Sequence, residues 1–142
     1  MRLYRTVALT LALTFLAVGI TFLAAPHAVQ ALFDWIAHRI ALPALPAGNV
    51  ETGLFRALAV AYMYIVSLLA WMMFRRPAEV VWPTLLAHAK LASAALSFLL
   101  MAALGSNLLF AANGVVDGVI GLVALLLRGQ ARRIRETQPR PV

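Results

Sequence analysis

The run Ser106–Leu127 (SNLLFAANGVVDGVIGLVALLL) constrains this chain more than any other stretch. At about 22 residues it is long and apolar enough to cross a hydrocarbon core of about 30 Å as one helix. Asp117 stands at its middle. A charge at that depth costs about 2.5–3.5 kcal/mol on insertion scales, so such groups face the protein interior and pair. The rest of the chain must supply both the partner and the helices that surround it.

Composition agrees with a membrane setting. The 142 residues are 63% hydrophobic and 12% charged, whereas soluble domains run near half apolar and a quarter charged. The length suits one unit of about four spans. With no cysteine, disulfides and thiolate metal sites are excluded. The net charge of +7 does not point to nucleic acid, because the basic residues sit at the ends of apolar runs. There they set topology and meet anionic lipid headgroups.

Taken in order, Arg2 and Arg5 precede the apolar run Val7–Ala25. This start resembles a signal peptide, and Leu23-Ala24-Ala25 offers small residues for cleavage. The run exceeds the usual h-region of about 7–15 residues, so the expectation is a retained first span. Pro26 ends it. Ala28–Ala41 carries Val29, Leu32, Phe33, Ile36 and Ile40 on one helical stripe, with Gln30, Asp34 and His38 opposite. That pattern predicts an amphipathic helix lying in the membrane interface, with Trp35 at headgroup level. Pro43 and Pro46 stop it, and Ala47-Gly48-Asn49 reads as loop. Leu54–Phe74 is the second span, with Glu51 or Thr52 at its start. Val80–Leu104 is the third, with Pro83 tolerated in its first turn. Gly105 and Ser106 form a tight turn into the fourth span, which Arg128 ends. Gly129–Val142 is then a basic tail. The expected fold is all-α: an integral membrane four-helix bundle over residues 1–128 with one outer interfacial helix.

The arginines are one-sided. Arg2, Arg5, Arg75, Arg76, Arg128, Arg132, Arg133, Arg135 and Arg140 fall on one side of this layout, against Arg39 and Arg56 on the other. The positive-inside rule then puts both termini in the cytoplasm, and the interfacial helix outside.

Depth, counted at about 1.5 Å per residue, places Lys90 about 15 Å and Asp117 about 16 Å from the cytoplasmic edge. A tight turn makes the last two spans antiparallel neighbours, so the two charges meet at one level. Lys90, Ser93 and Ser97 share a face of the third span, and Ser106, Asn113 and Asp117 share a face of the fourth. Gly114, Gly118 and Gly121 flank that face, and small residues let helix backbones approach closely in lipid. The expectation is a polar seam between the last two helices, opening outward, with Arg56 a candidate to join it from above. As a static ion pair the seam fixes helix register. The static role is the favoured reading, and as an intramembrane charge pair the seam is the alternative candidate for a proton or solute site.

Other chemistry is thinner. His88 is the only histidine within a span, and a membrane haem needs a second axial ligand. Met72, Met73 and Met101 read as packing. His27, Asp34 and His38 read as surface residues rather than a metal site. Tyr62, Tyr64, Trp71, Trp82 and Phe98 read as packing and interfacial belt, with a quinone or lipid groove as the alternative. No nucleophile elbow, P-loop or zinc motif is present.

The layout resembles the DoxX-like proteins and related small bacterial four-span proteins. The resemblance lies in a first span ending in Ala25-Pro26, an outer amphipathic segment, a second span opening with Phe55-Arg56-Ala57, and a closely hairpinned last pair. It implies a bacterial inner-membrane protein without a defined activity, in some cases an accessory subunit of a redox complex. The expected function is a non-catalytic structural or accessory subunit without cofactor or metal, as a homo-oligomer or in a larger complex. The alternatives are a small-solute or proton pathway through Lys90 and Asp117, and a quinone-associated redox subunit.

Overall fold

A computed structural model describes residues 1–39, 50–104 and 108–137. The described chain is helical: α1 (Arg2–Ala24), α2 (Pro26–Arg39), α3 (Val50–Arg75), α4 (Val81–Leu104) and α5 (Leu108–Thr137). Four of them, all but α2, are long and apolar enough to cross a membrane. The segment carrying Pro43, Pro46 and Gly48, the turn at Gly105 and Ser106, and the last residues of the tail lie outside the described residues.

The breaks between helices have local causes. Ala25 leaves the helical region, with φ −134° and ψ 53°, while its N–H still bonds the Thr21 carbonyl at 2.9 Å. Its own carbonyl accepts from the N–H groups of Ala28 and Val29. One residue therefore closes α1 and opens α2. Pro26 takes the first position of α2, where its missing N–H costs nothing. Between α3 and α4 the Glu79 carboxylate receives Arg76 at 3.2 Å and the Trp82 indole N–H at 2.6 Å. This ties the connection to the first turn of α4, where Pro83 is accommodated.

The bundle is two tight helix pairs. α4 packs along α5 and α1 along α3, the pairs join chiefly where α3 meets α4, and α2 touches both α1 and α5. Each helix buries one narrow stripe. In α1 it is Tyr4, Ala8, Ala12, Phe15 and Gly19, and in α5 it is Gly114, Asp117, Gly121, Ala124, Leu127 and Ala131. The opposite faces expose Leu13, Leu16, Ile20, Leu99, Val119, Leu122 and Leu126. An apolar surface this extensive is foreign to soluble monomers and suits hydrocarbon.

The core is not centred along the bundle. Its fully buried members, among them Tyr4, Ala8, Ala70, Met73, Leu86, Ala87 and Ala131, belong to the arginine-rich half. Two boundaries at the arginine-rich end differ from the sequence expectation. The helix does not stop at Arg128 but runs on to Thr137, because Ala131 is fully buried and Ile134 packs on the same core. The buried stripe of α5 continues past the span with its period intact, and that outweighs the stop signals Arg128 and Gly129. The start of α1 also differs: the helix takes in the basic leader, and Tyr4 within it is 1% exposed.

Candidate functional site

Lys90 and Asp117 are where α4 and α5 meet. The ammonium donates to Asp117 Oδ1 at 2.8 Å, and the two side chains are 1% and 5% exposed. Two aromatic faces close over the ammonium. The Phe15 centroid of α1 lies 4.7 Å from Nζ and the Tyr62 centroid of α3 lies 4.8 Å away. The Tyr62 ring is held there by its own hydroxyl, which donates to the Ala89 carbonyl at 3.1 Å. One residue from each of the four long helices therefore builds the centre.

The physics of this arrangement favours permanence. An ammonium taken from water loses several kcal/mol of hydration. A carboxylate at hydrogen-bond distance and two ring quadrupoles restore much of it, because attraction is strong where the dielectric is low. The second carboxylate oxygen, Asp117 Oδ2, is buried without a hydrogen-bond partner.

A second polar cluster lies further from the arginine-rich end. Asn113 Nδ2 donates to Ser97 Oγ at 2.7 Å and to Ser93 Oγ at 3.2 Å. These residues form the polar part of the wall of a cavity of about 580 Å³. Its remaining wall is apolar, from Phe22 of α1, Ala59 and Met63 of α3, Leu96 of α4 and Phe110 of α5. Tyr62 belongs to both places, covering Lys90 on one side and lining the cavity on the other. Neither Lys90 nor Asp117 reaches the cavity wall.

The seam expected from the sequence is thus two sites in sequence along the bundle: a buried ion pair, then a lined cavity. Ser106 and the side chain of Arg56 lie outside the described residues. The three glycines of α5 are not equivalent. A methyl on Gly121 would meet Leu91 at 2.7 Å and one on Gly114 would meet the Phe98 ring at 2.9 Å. A methyl on Gly118 would stand 3.8 Å from Ala94, an ordinary contact. Close approach of α4 and α5 therefore requires Gly121, whereas at Gly114 the methyl meets only the tip of the exposed Phe98 ring, and Gly118 leaves room.

His88 is exposed on α4, as are His27 and His38 on α2. Among the described residues no group of three or more His, Asp or Glu side chains converges. Trp71 packs on Phe74, with ring centroids 5.3 Å apart. Sequence reasoning missed Phe15 and the full role of Tyr62. Phe15 sits on the α1 stripe at i+3 from Ala12 and i+11 from Tyr4, which marks it as inward but not as a lid on Lys90.

Comparison with protein-family models, with curated proteins and with solved structures finds no match to this chain.

Proposed function

We propose that this chain is a non-catalytic integral membrane protein of the bacterial inner membrane that serves as a structural or accessory subunit, similar in layout to the DoxX-like proteins. Both termini face the cytoplasm, where the arginines meet anionic headgroups. The subunit associates with itself or with a larger membrane complex through the exposed apolar faces of its spans.

The observation that carries this reading is the enclosure of the ion pair. Lys90 and Asp117 bond each other at 2.8 Å beneath two aromatic rings, and the half of the bundle beyond them is filled by the core. Residues from all four long helices enclose the pair. Its effect is to hold α4 on α5 in one register.

One observation favours a second reading, a proton or solute pathway. Asp117 Oδ2 is buried without a hydrogen-bond partner, which leaves an acceptor for a donor that enters the bundle. Reconstitution separates the two. In vesicles under an imposed proton gradient, the wild type and the double variant Lys90→Met/Asp117→Asn should both leave the gradient at its protein-free decay rate. A wild-type leak that the double variant abolishes would establish the pathway instead. Native mass spectrometry from native membranes should show the chain with copies of itself or with larger partners. A solitary chain would refute the subunit role.

A further inference from the structure

The cavity beside the ion pair has the size and chemistry of a ligand site. At about 580 Å³ it falls within the range of about 300–1,000 Å³ typical of small-molecule pockets. It is walled by hydrocarbon side chains except along one strip, where Ser93, Ser97 and Asn113 converge. That is the pattern expected of a binding site: a mostly apolar lining with a few placed polar groups that fix orientation.

The strip has a definite hydrogen-bonding character. Both serine oxygens accept from Asn113 Nδ2, and the Ser93 hydroxyl also bonds the Tyr62 side chain, so the Ser97 hydroxyl is the one with its hydrogen left to donate. The Asn113 carbonyl oxygen is an acceptor. An O–H donor beside a C=O acceptor suits a head bearing hydroxyl or carbonyl oxygens. It does not suit an ion. No charged side chain lines the cavity among the described residues, and the nearest buried charges, Lys90 and Asp117, are committed to each other. An ionised head placed there would be desolvated without a counter-charge among the described residues, which costs far more than burying a neutral polar group.

We propose that this cavity binds an uncharged amphiphile drawn from the bilayer, with its hydroxyl- or carbonyl-bearing head on Ser93, Ser97 and Asn113 and its hydrocarbon body along Phe22, Met63 and Leu96. Entry from the bilayer fits the setting, since the wall is built from helices that otherwise face hydrocarbon. The ion pair forms the solid base beneath the ligand: Tyr62 is locked over Lys90 and presents a fixed surface to the cavity.

The test uses three probes with one tail and different heads: monooleoylglycerol, oleate and oleylamine. Each is titrated into the detergent-purified full chain and followed by native mass spectrometry, with circular dichroism confirming helix content. Monooleoylglycerol should be retained at least tenfold more strongly than either charged probe. The double variant Ser93→Ala/Ser97→Ala should lower its retention about tenfold, and Ala59→Phe, which places a ring in the cavity, should abolish it. Equal retention of all three probes would overturn the proposal. So would wild-type retention by both a folded Ser93→Ala/Ser97→Ala variant and a folded Ala59→Phe variant, since the lipid would then be annular. A null result in the gradient assay leaves this test untouched, because the cavity and the ion pair share no lining charge.

Discussion

A lysine ammonium 1% exposed between helices is tolerable only because four groups were assembled for it. Each contributes differently. Asp117 supplies the charge, and Phe15 and Tyr62 supply ring faces and exclude water. The Ala89 carbonyl fixes Tyr62 through its hydroxyl. Loss of the tyrosine hydroxyl leaves the ring but frees its orientation, so Tyr62→Phe should lower stability by about 0.5–1.5 kcal/mol, read as a shift in thermal unfolding in detergent. The glycines make a sharper contrast. Gly121→Ala pushes a methyl into Leu91, including its backbone nitrogen at 3.3 Å, and should cost about 1–3 kcal/mol. Gly118→Ala meets only Ala94 at 3.8 Å. It should be neutral or stabilise by up to about 1 kcal/mol, because alanine is the better helix former. Equal effects at the two positions would contradict the packing described for α4 and α5.

At the scale of the element, the last helix is more than a span. Its buried stripe runs from Gly114 to Ala131 without a break in period, so the arginine-bearing segment beyond Arg128 is part of the folded unit. Ala131→Asp should lower thermal stability by at least about 1–3 kcal/mol through an unpaired charge in the core. Arg132→Ala on the exposed side should stay within about 0.5 kcal/mol of wild type. The sequence carried this signal, since Leu127, Ala131 and Ile134 continue the i, i+4, i+7 spacing. Arg128 and Gly129 hid it, because a charge followed by glycine is also how a span ends. The level of Lys90 and Asp117, by contrast, follows from helix rise and a short turn alone, and both quantities can be counted along a chain. Their lids cannot be counted in that way. Phe15 stands 75 positions before Lys90 in the chain, and no local period says which face of α1 will meet which face of α4. The difference between Gly118 and its neighbours is hidden for the same reason, since it depends on whether an alanine, a leucine or a phenylalanine comes opposite.

At the scale of the whole molecule, the two halves of the bundle differ in construction. The arginine-rich half is filled by Tyr4, Met73, Leu86 and a run of alanines, whereas the other half contains the cavity. The buried pair divides them. The same asymmetry appears in charge, because the arginines of α1, α5 and the α3–α4 connection gather at the filled end. The positive-inside rule turns that into a topology. A reporter fused after Val142 should report the cytoplasm and one inserted at Gly48 the opposite side; a reversed result would refute the orientation, and a same-side result would refute the four-span arrangement.

The claim on which the rest depends is that Lys90 and Asp117 stabilise the fold as one neutral unit. The direct measurement is a double-mutant cycle in a single detergent, comparing unfolding of the wild type, Lys90→Met, Asp117→Asn and the double variant. Each single change leaves an unpaired buried partner and should cost about 3–5 kcal/mol. The double variant should recover most of that loss, because a neutral methionine against a neutral asparagine leaves no stranded charge. A double variant destabilised by the sum of the two single losses would contradict the account.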